Sequence, residues 1–429
     1  MKKKRRDFLR TAGMTGLGIA SGLNGVSAGL NPKNFSVSDF MLPNLSQTDG
    51  SSSIIGTYGS WAASLAKDPP SLSFRNDKYS DIDAWRRIAK QRVKERLSIP
   101  DIGTGIPEAT VLKTSSYDGL TIEEISWQLP YGRPTQAVVL RPQGVRGKLP
   151  GILAFHDHGG NKYFGTQKII KTSDDQNKLM ADHQAQYYEG RAWANELAKK
   201  GYVVLVSDTF TFGSRRVMVE DVPKELRDGL DDRDHENPTN IERYNDWAKQ
   251  HEHIMAKSLF CAGTTWPGVF LAEDQKALDV LCARPDVDST NVGCAGLSGG
   301  GLRTVLIGGM DPRIKCAISV GFMSTWKDFL LHKSHTHTWM LYVPLLPNEL
   351  DFPEILGLRA PVPALVLNNE GDKLFSLSEM KDADKMLQAV YQKTNAPDRY
   401  HCSFYPGPHK FDAKMQEEAF AWFDRWLRN

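Results

Sequence analysis

The sequence predicts an α/β fold with a mainly parallel central sheet and helices on both faces, and three observations support this. From residue 151 onward, short apolar runs alternate with segments of helical spacing. The runs are continuously apolar, as in Tyr202–Ser207, which is typical of strands buried on both faces. Of the 429 residues, 40% are hydrophobic and 24% are charged, a composition that excludes a largely disordered chain.

The predicted fold begins with one helix and three strands. Apolar side chains recur at helical spacing within Asp81–Ile99, for example at Ile82, Trp85 and Ile88, and they predict a helix there. Three short runs follow that have the length and composition of strands. They are Ala109–Thr114, Leu120–Gln128 and Gln136–Arg141.

Further strands and helices are predicted in the alternating part. The strands are expected at Gly151–Phe155, Tyr202–Ser207, Val292–Ala295, Ile314–Val320, Ala364–Leu367 and Tyr400–Tyr405. The helices are expected at Arg191–Lys200, Val269–Ala283, Gly299–Gly308, Leu377–Gln392 and Phe411–Leu427. Because strands connected through helices lie parallel in one sheet, this order predicts a sheet with both faces covered.

Two long polar stretches interrupt the alternation, Asn161–Gly190 and Thr211–Gly268. Each follows the end of a predicted strand. Long insertions at such positions usually cover the active site of a parallel-sheet enzyme, so we expect both to form a roof. The acidic run Asp231–Glu236 within the second insertion is equally consistent with a solvated loop that does not contact substrate.

Residues 1–28 have the three parts of a signal peptide in the expected order. A basic start contains Arg5-Arg6, a short glycine-rich apolar stretch follows, and Val26-Ser27-Ala28 fits a cleavage site. The arginine pair followed by Phe8-Leu9 is typical of leaders read by the twin-arginine export machinery. We expect a periplasmic or secreted protein without a stable membrane span, while a basic cytosolic tail and an uncleaved anchor stay open.

The excess positive charge is concentrated in this leader. The formal net charge is +2, but the chain after residue 28 holds 47 basic and 50 acidic residues, which argues against nucleic-acid binding. Residues 29–80 are predicted to be a flexible segment and 81–429 the α/β domain. The five cysteines show neither a C-x-x-C pair nor zinc spacing, and one disulfide among them stays open. They are Cys261, Cys282, Cys294, Cys316 and Cys402.

The strongest chemical signal is Gly296-Leu297-Ser298-Gly299-Gly300. It lies between a predicted strand and a predicted helix, which is the setting of a nucleophile elbow. Ser298 would then project its hydroxyl above the sheet edge, and the flanking glycines would avoid a steric clash in the tight turn. The N–H of Gly299 would lie at the helix N-terminus, where it can bind an oxyanion.

A serine hydroxyl needs a base before it becomes an effective nucleophile. In the α/β-hydrolase order, the acid and then the histidine follow the serine along the chain. Asp372 follows a predicted strand and is the expected acid, with Glu370 as the alternative. His409 lies between the last strand and the last helix and is the expected base, whereas His401 lies within the strand and is the weaker candidate.

The second oxyanion donor is expected in Phe155-His156-Asp157-His158-Gly159-Gly160, after the first strand of the alternating part. The backbone N–H of His158 is the expected donor, with that of Gly159 as the alternative. The side chains of His156, Asp157 and His158 are also of types that bind zinc. Because adjacent residues diverge in a turn and no partner of suitable spacing is evident, we predict neither a metal nor a cofactor.

Four segments together resemble one known group of proteins. In chain order they are Phe155–Gly160, Gly201–Asp208, Arg284–Asp288 and Gly296–Gly300. Roughly residues 80–429 resemble bacterial α/β-hydrolases of the acetyl xylan esterase and dienelactone hydrolase type. The resemblance implies the α/β-hydrolase fold and ester cleavage, often of acetyl groups on carbohydrates, by a triad of Ser298, Asp372 and His409. Gly301 and Asp157 depart from the usual pattern.

The sequence therefore predicts an exported serine esterase that acts through an acyl-enzyme on a carbohydrate or small-molecule ester, with short acyl (acetyl) esters of carbohydrates as the expected substrates. A serine peptidase on the same fold is the nearest alternative, although no propeller-sized repeat precedes the domain. A catalytically silent carbohydrate-binding protein is the alternative from another class, since tryptophans can line a sugar site. The tryptophans considered for it are Trp193, Trp247, Trp266, Trp326 and Trp339. The acyl group, the alcohol and the oligomeric state are not predicted.

Overall fold

A sheet of nine strands forms the centre of the computed structural model, which describes residues 53–231 and 237–428. In chain order the strands are β1 (Thr110–Tyr117), β2 (Leu120–Trp127), β3 (Thr135–Pro142), β4 (Leu149–Phe155), β5 (Val203–Ser207), β6 (Val287–Leu297), β7 (Ile314–Val320), β8 (Ala364–Asn369) and β9 (Tyr400–Tyr405). Each strand overlaps its predicted range. The predicted leader and most of the acidic run lie outside the described residues.

The sheet has the spatial order β1-β2-β3-β5-β4-β6-β7-β8-β9. Strands β4 to β9 pair in parallel, whereas β1, β2 and β3 form an antiparallel extension that joins the sheet at β5. The prediction of a mainly parallel α/β sheet is therefore confirmed. Because parallel strands end at the same edge, the loops after β4, β6, β8 and β9 open on one side of the molecule.

Helices cover both faces of this sheet. They are α1 (Gly59–Leu65), α2 (Ile82–Leu97), α3 (Lys178–Tyr188), α4 (Trp193–Lys199), α5 (Pro238–Gln250), α6 (Glu252–Cys261), α7 (Trp266–Ala283), α8 (Gly299–Met310), α9 (Phe352–Gly357), α10 (Leu377–Lys393) and α11 (Ala413–Leu427). Trp85, Phe270 and Leu302 belong to the apolar core on one face. Trp193 and Phe423 belong to the core on the other. The six predicted helices are all present, and α1, α3, α5, α6 and α9 are additional.

Capping side chains set the beginnings of the helices. Asp81 Oδ1 accepts the N–H groups of Asp83 and Ala84 at 2.8 and 3.1 Å, so α2 begins directly after it. Thr265 Oγ1 accepts the N–H of Gly268 at 3.0 Å. This cap lets α7 begin at Trp266, three residues before the predicted start, because the proline that follows fits the first turn of a helix.

Part of the segment before α2 packs closely on the α/β domain. Phe74 is fully buried, and its ring centroid lies 4.7 Å from that of Trp85. Ser73 Oγ and Arg75 Nε both donate hydrogen bonds to Glu354 Oε1, a carboxylate that is itself fully buried. These contacts tie residues 73–75 to the domain within a stretch whose polar composition predicts flexibility.

Both insertions contain helices of their own, α3 in the first and α5 and α6 in the second. Asparagine side chains cap two of them, since Asn177 accepts the N–H of Leu179 and Asn237 that of Thr239, each at 2.9 Å. None of the helices in residues 53–231 and 237–428 is long and apolar enough to cross a membrane. The five cysteines are free thiols.

Candidate active site

Ser298 occupies a sharp turn between β6 and α8. Its backbone has φ 57° and ψ −120°, a conformation that costs a residue with a Cβ about 1–3 kcal/mol. The turn leaves no room for side chains beside it, because a Cβ on Gly296 would lie 2.7 Å from Gly300 Cα and one on Gly300 would lie 2.5 Å from Phe155 O. The Ser298 N–H donates to Val320 O at 2.8 Å. The serine therefore lies at the carboxyl edge of the sheet in the geometry of an elbow.

His409 and Asp372 meet at the same edge, after the neighbouring strands β9 and β8. His409 Nδ1 and Asp372 Oδ2 are 2.5 Å apart, and Asp372 Oδ1 accepts the N–H of Leu374 at 2.9 Å. Because the carboxylate accepts the proton on Nδ1, Nε2 is left as the basic nitrogen. His409 Nε2 is buried without a hydrogen-bond partner among the residues described. His409 and Ser298 line one cavity.

The two weaker candidates lie elsewhere. The Glu370 side chain is exposed, and its backbone N–H donates to Tyr405 O at 2.8 Å. His401 is exposed on β9, where its Nε2 lies 3.7 Å from Glu418 Oε1. Neither residue lines the cavity that contains Ser298. The structure thus brings Asp372, and not Glu370, to His409.

The loop after β4, residues 155–160, passes directly beside the elbow and is called the oxyanion loop below. A Cβ on Gly299 would come within 3.1 Å of His158 N, so the backbone of residue 158 lies close to the N-terminus of α8. Within the described part of the chain, the N–H groups of His158 and Gly299 donate to no protein acceptor. Two adjacent free N–H groups are suited to binding an oxyanion.

The side chains of the oxyanion loop point in different directions. His156 Nδ1 lies 3.1 Å from Asp157 O, Asp157 Oδ1 lies 3.0 Å from His183 Nε2, and His158 Nε2 lies 2.9 Å from Glu252 Oε1. These three side chains consequently do not converge on one point. Across residues 53–231 and 237–428, no group of three His, Cys, Asp or Glu side chains is arranged to hold a metal ion.

His158 is a neutral imidazole that is fixed on both sides. Its Nδ1 accepts the N–H of Gly160 at 3.0 Å, so its proton is on Nε2, which faces Glu252. Burial, and next to it the charge of Lys162, lowers the pKa of His158. The imidazole therefore stays uncharged at neutral pH. Its two hydrogen bonds hold the oxyanion loop in place, and with it the backbone N–H of His158.

Glu252, at the start of α6, connects the second insertion to the oxyanion loop. Its Oε1 contacts His158 and the buried ammonium of Lys162, and its Oε2 accepts Thr338 Oγ1 at 2.7 Å and Trp339 N at 3.3 Å. Burial alone would raise the pKa of Glu252, but the hydrogen bond from His158 and the charge of Lys162 hold it well below its usual value. One ionised carboxylate thus joins three separate segments of the chain.

The cavity above Ser298 has a volume of about 420 Å³. The first insertion contributes Tyr187, the second contributes Lys249 and Glu252, and His335–Met340 close a further side. We call these covering residues the roof. The expectation that both insertions cover the site is confirmed. The apolar part of the wall is formed by Phe270, Leu297, Leu302, Phe322, Met340 and Leu374.

The third part of the roof, His335–Met340, is not predicted from the sequence as a covering segment. Its sequence signals are Trp339, considered above for a sugar site, and the histidines His332, His335 and His337, for which solvated or pocket-lining positions are favoured over a metal site. In the structure His337 Nε2 lies 2.8 Å from Leu374 O, and its ring packs against Phe329 and Phe375. Burial lowers the pKa of His337 to about 4, so this ring acts as an uncharged packing group.

Only one of the five candidate tryptophans reaches the cavity. Trp193, Trp247, Trp266 and Trp326 are buried in apolar cores. Trp339 is 42% exposed and lines the cavity mouth beside the Glu252 contact. Trp339 is therefore the one indole in the described cavity walls that a substrate could contact.

The two departures from the resemblance have physical explanations. A Cβ on Gly301 would lie 2.7 Å from Val320 O, so β7 approaches α8 too closely for a larger residue. The Asp157 carboxylate accepts hydrogen bonds from His183 and Tyr188. Burial alone would raise the pKa of Asp157, but the nearby imidazole of His183 outweighs it and the net shift is downward. The Asp157 side chain therefore fixes the oxyanion loop to His183 and Tyr188 of α3.

No family model matches the chain. Over 294 residues it is 26% identical to YtaP of Bacillus subtilis (strain 168), a proposed hydrolase, with 68% of this chain and 83% of that protein covered. A solved structure of a proposed acetyl xylan esterase from Bacteroides fragilis has a TM-score of 0.58 at 16% identity, and 84% of each chain is covered. A glucuronoyl esterase from Solibacter usitatus has a TM-score of 0.54 at 12% identity, covering 83% of this chain and 93% of that chain. These likenesses confirm the α/β-hydrolase fold and the predicted resemblance.

Proposed function

We propose that this protein is a serine hydrolase that cleaves carboxylic esters, with Ser298 as nucleophile, His409 as base and Asp372 as the acid that orients it. One observation carries the proposal. A histidine bound to a buried carboxylate at 2.5 Å presents an unpartnered nitrogen in the cavity of a strained elbow serine. Nothing in the packing of the core requires this combination, and a nucleophile, an oriented base and an acid are what acyl transfer uses.

In the proposed mechanism, His409 Nε2 accepts the proton of the Ser298 hydroxyl as the oxygen attacks the ester carbonyl. The carbonyl oxygen becomes an oxyanion, which the N–H groups of Gly299 and His158 bind. His409 then gives its proton to the leaving alcohol, and an acyl-enzyme remains. A water molecule, deprotonated by the same imidazole, attacks the acyl carbon, and collapse of the second tetrahedral intermediate releases the acid. The Asp372 carboxylate orients the imidazole and stabilises the imidazolium.

We propose a short acyl ester of a carbohydrate, an acetyl ester above all, as the substrate. The cavity combines an apolar wall with exposed Trp339 and polar side chains of the roof, which suits a small acyl group on one side and a hydroxylated alcohol on the other. The names of the structural neighbours, an acetyl xylan esterase and a glucuronoyl esterase, support a carbohydrate ester. The YtaP relative supports hydrolase chemistry.

We also propose that residues 1–28 direct the folded protein through the twin-arginine machinery, so that it acts in the periplasm or outside the cell. The support for this is the order of basic, apolar and small residues in the leader. Replacing Arg5 and Arg6 with lysine should leave the protein in the cytoplasm in a fractionation experiment. Unchanged export of that variant would contradict the proposal.

The decisive experiment measures the rate of hydrolysis of p-nitrophenyl esters as a function of acyl chain length, from two to twelve carbons. The protein from Gly29 onward is compared with its Ser298→Ala variant. We expect activity that falls steeply after the shortest chains, and a loss of roughly 10⁶ in kcat for the variant. A fluorophosphonate probe should label Ser298 in the parent protein alone. Equal turnover by both proteins would contradict the assignment of Ser298, and absence of both turnover and labelling would contradict the esterase.

A further inference from the structure

Lys168 is a fully buried lysine beneath the oxyanion loop. It closes the short 3-10 turn Thr166–Lys168 of the first insertion. Its Nζ donates to Asp157 O at 2.8 Å and to His158 O at 2.9 Å. The ammonium also lies 4.6 Å from the centroid of the Phe212 ring. Two carbonyl oxygens and one aromatic face therefore surround the charge.

No carboxylate within the described residues lies at salt-bridge distance from this ammonium. The other buried lysine near the cavity, Lys162, is paired with Glu252. An ammonium that is taken out of water without a direct counter-ion is costly. Burial accordingly lowers the pKa of Lys168 to about 8, and the nearby charge of Asp157 only partly offsets this.

The first carbonyl that Lys168 holds belongs to the peptide group that carries the His158 N–H. In a trans peptide the C=O and N–H bonds point in opposite directions in one rigid plane. A hydrogen bond that fixes Asp157 O beneath the loop therefore directs the His158 N–H to the other side. His158 N lies beside Gly299 at the elbow. The second carbonyl, His158 O, fixes the following peptide plane in the same way.

We propose that Lys168 is a positioning residue of the oxyanion hole, which orients the 157–158 peptide and polarises it so that the His158 N–H binds a developing negative charge more strongly. The inference rests on the proposed esterase function and extends it. A cation on the carbonyl oxygen draws electron density from the peptide nitrogen, which makes the N–H a better donor. Lys168 touches neither the substrate nor Ser298 and acts through the two peptide groups whose carbonyl oxygens it binds.

Other contacts hold the rest of the oxyanion loop, so the effect of Lys168 can be separated. The Asp157 side chain is bound by His183 and Tyr188, and the His158 ring by Glu252. Because His156 Nδ1 also lies 3.1 Å from Asp157 O, removing the ammonium should loosen the orientation of this peptide plane while the loop keeps its place. Loss of the ammonium would then affect the transition state far more than the bound ester.

The test compares Lys168→Met, which keeps the volume but removes the charge, with Lys168→Gln, which keeps one donor. Lys276→Met is the control, because Lys276 is also buried and also donates to a backbone carbonyl outside the cavity, Gly105 O at 2.7 Å, although it additionally lies 3.4 Å from Asp279 Oδ2. We expect kcat to fall about 10²-fold for Lys168→Met, with KM unchanged, and less for Lys168→Gln. The control should keep its kcat.

A tetrahedral mimic provides a readout that a purely structural role would not move. A trifluoromethyl ketone that adds to Ser298 places an oxyanion in the hole, so its affinity should fall in parallel with kcat/KM across the Lys168 variants. Variants that fold, as judged by thermal melting, and keep both kcat and inhibitor affinity would overturn the proposal. If Lys168→Met does not fold, the same two measurements on Lys168→Gln decide the matter.

The pH profile adds a second independent readout. Since the ammonium loses its proton above about pH 8, kcat of the parent protein should decline there, and in Lys168→Arg, which stays protonated, the decline should be absent. The charged and titratable groups that face Lys168 are His156, Asp157, His158, Lys162, Asp208 and Arg303. An identical alkaline decline in Lys168→Arg would contradict the proposal.

Failure of this inference and failure of the esterase assignment give different results. If the parent protein turns over esters and Ser298→Ala does not, the proposed function stands whatever the Lys168 variants do. Full activity of those variants then overturns only the role of Lys168. If the parent protein neither hydrolyses esters nor reacts with a fluorophosphonate, the oxyanion hole itself loses its basis, and both proposals fall.

Discussion

The elbow and the roof, which enclose the same cavity, are built by different kinds of interaction. The elbow is made of adjacent residues, and backbone atoms that approach within 2.5–2.7 Å of a glycine Cβ position fix its shape. The roof is assembled from residues far apart in sequence, which meet on the single buried carboxylate of Glu252. The backbone turn that carries Ser298 is thus set mainly by neighbouring residues. The surface that would contact the alcohol part of the ester depends on long-range contacts. We expect changes in the elbow to affect kcat and changes in the roof to affect KM and stability.

The largest of these effects on kcat is expected at Asp372, which orients His409 towards the elbow serine. In Asp372→Asn the side chain keeps its shape but no longer favours the Nδ1 proton of His409 or stabilises the imidazolium. We expect kcat to fall by roughly 10⁴ with little change in KM. Steady-state kinetics with p-nitrophenyl acetate measure this. Glu370→Gln is the control, and an equal loss in that variant would move the acid to Glu370.

The next largest effect is expected in the roof, for Glu252→Gln. The variant leaves the buried Lys162 ammonium without its counter-ion, which should lower the free energy of unfolding by about 3–5 kcal/mol. KM for carbohydrate esters should rise more than kcat falls. Urea unfolding and kinetics on an acetylated sugar test this. A change confined to kcat would contradict the division between elbow and roof.

The same variant gives a pH prediction with a defined sign. The folded-state pKa of Glu252 lies well below its usual 4.5. As the pH falls below 4.5, Glu252 therefore takes up a proton in the unfolded chain before it does so in the folded protein. The stabilisation is present in full above about pH 4.5 and is lost as the pH falls towards the folded-state pKa. The stability difference between the parent protein and Glu252→Gln should shrink in that range, and a constant difference would contradict it.

A smaller effect on stability is expected for Gly300→Ala at the elbow. The added Cβ would meet Phe155 O at 2.5 Å, and overpacking of this kind costs about 1–3 kcal/mol. Because β4 and the oxyanion loop must shift to make room for the added Cβ, kcat should fall together with the stability. Gly357→Ala is the matched control, since its nearest atom is Val390 Cγ1 at an ordinary 3.4 Å. Equal behaviour of the two variants would show that the elbow tolerates displacement.

The smallest effect is expected for Trp339→Ala. The indole is 42% exposed, so stability should change little. KM should rise a few-fold for a carbohydrate ester and stay constant for p-nitrophenyl acetate, which is too small to reach the cavity mouth. Parallel kinetics on the two substrates measure this. Equal changes for both would remove Trp339 from substrate recognition.

The sequence predicts the elbow well and the roof poorly for the same physical reason. Glycine spacing, a preceding strand and a following helix are short-range signals, and they are sufficient to place Ser298 and Gly299 at the sheet edge. The position of Asp372 and His409 follows because parallel strands end together. Contacts such as Glu252 with Thr338 join residues 86 apart, and no local pattern encodes them. The sequence of His335–Met340 therefore gives two histidines and the candidate Trp339 but does not show that the segment covers the cavity.

The sheet order also determines when the site can form. The proposed base follows β9, which within the described residues is an edge strand paired with β8 alone. During synthesis, the elbow serine and the strands around it leave the ribosome more than a hundred residues before His409. Parallel pairings of this range form slowly. A growing chain that stops before Tyr400 would carry the proposed nucleophile without the proposed base, so the proposed triad is complete only after the last strand has been made.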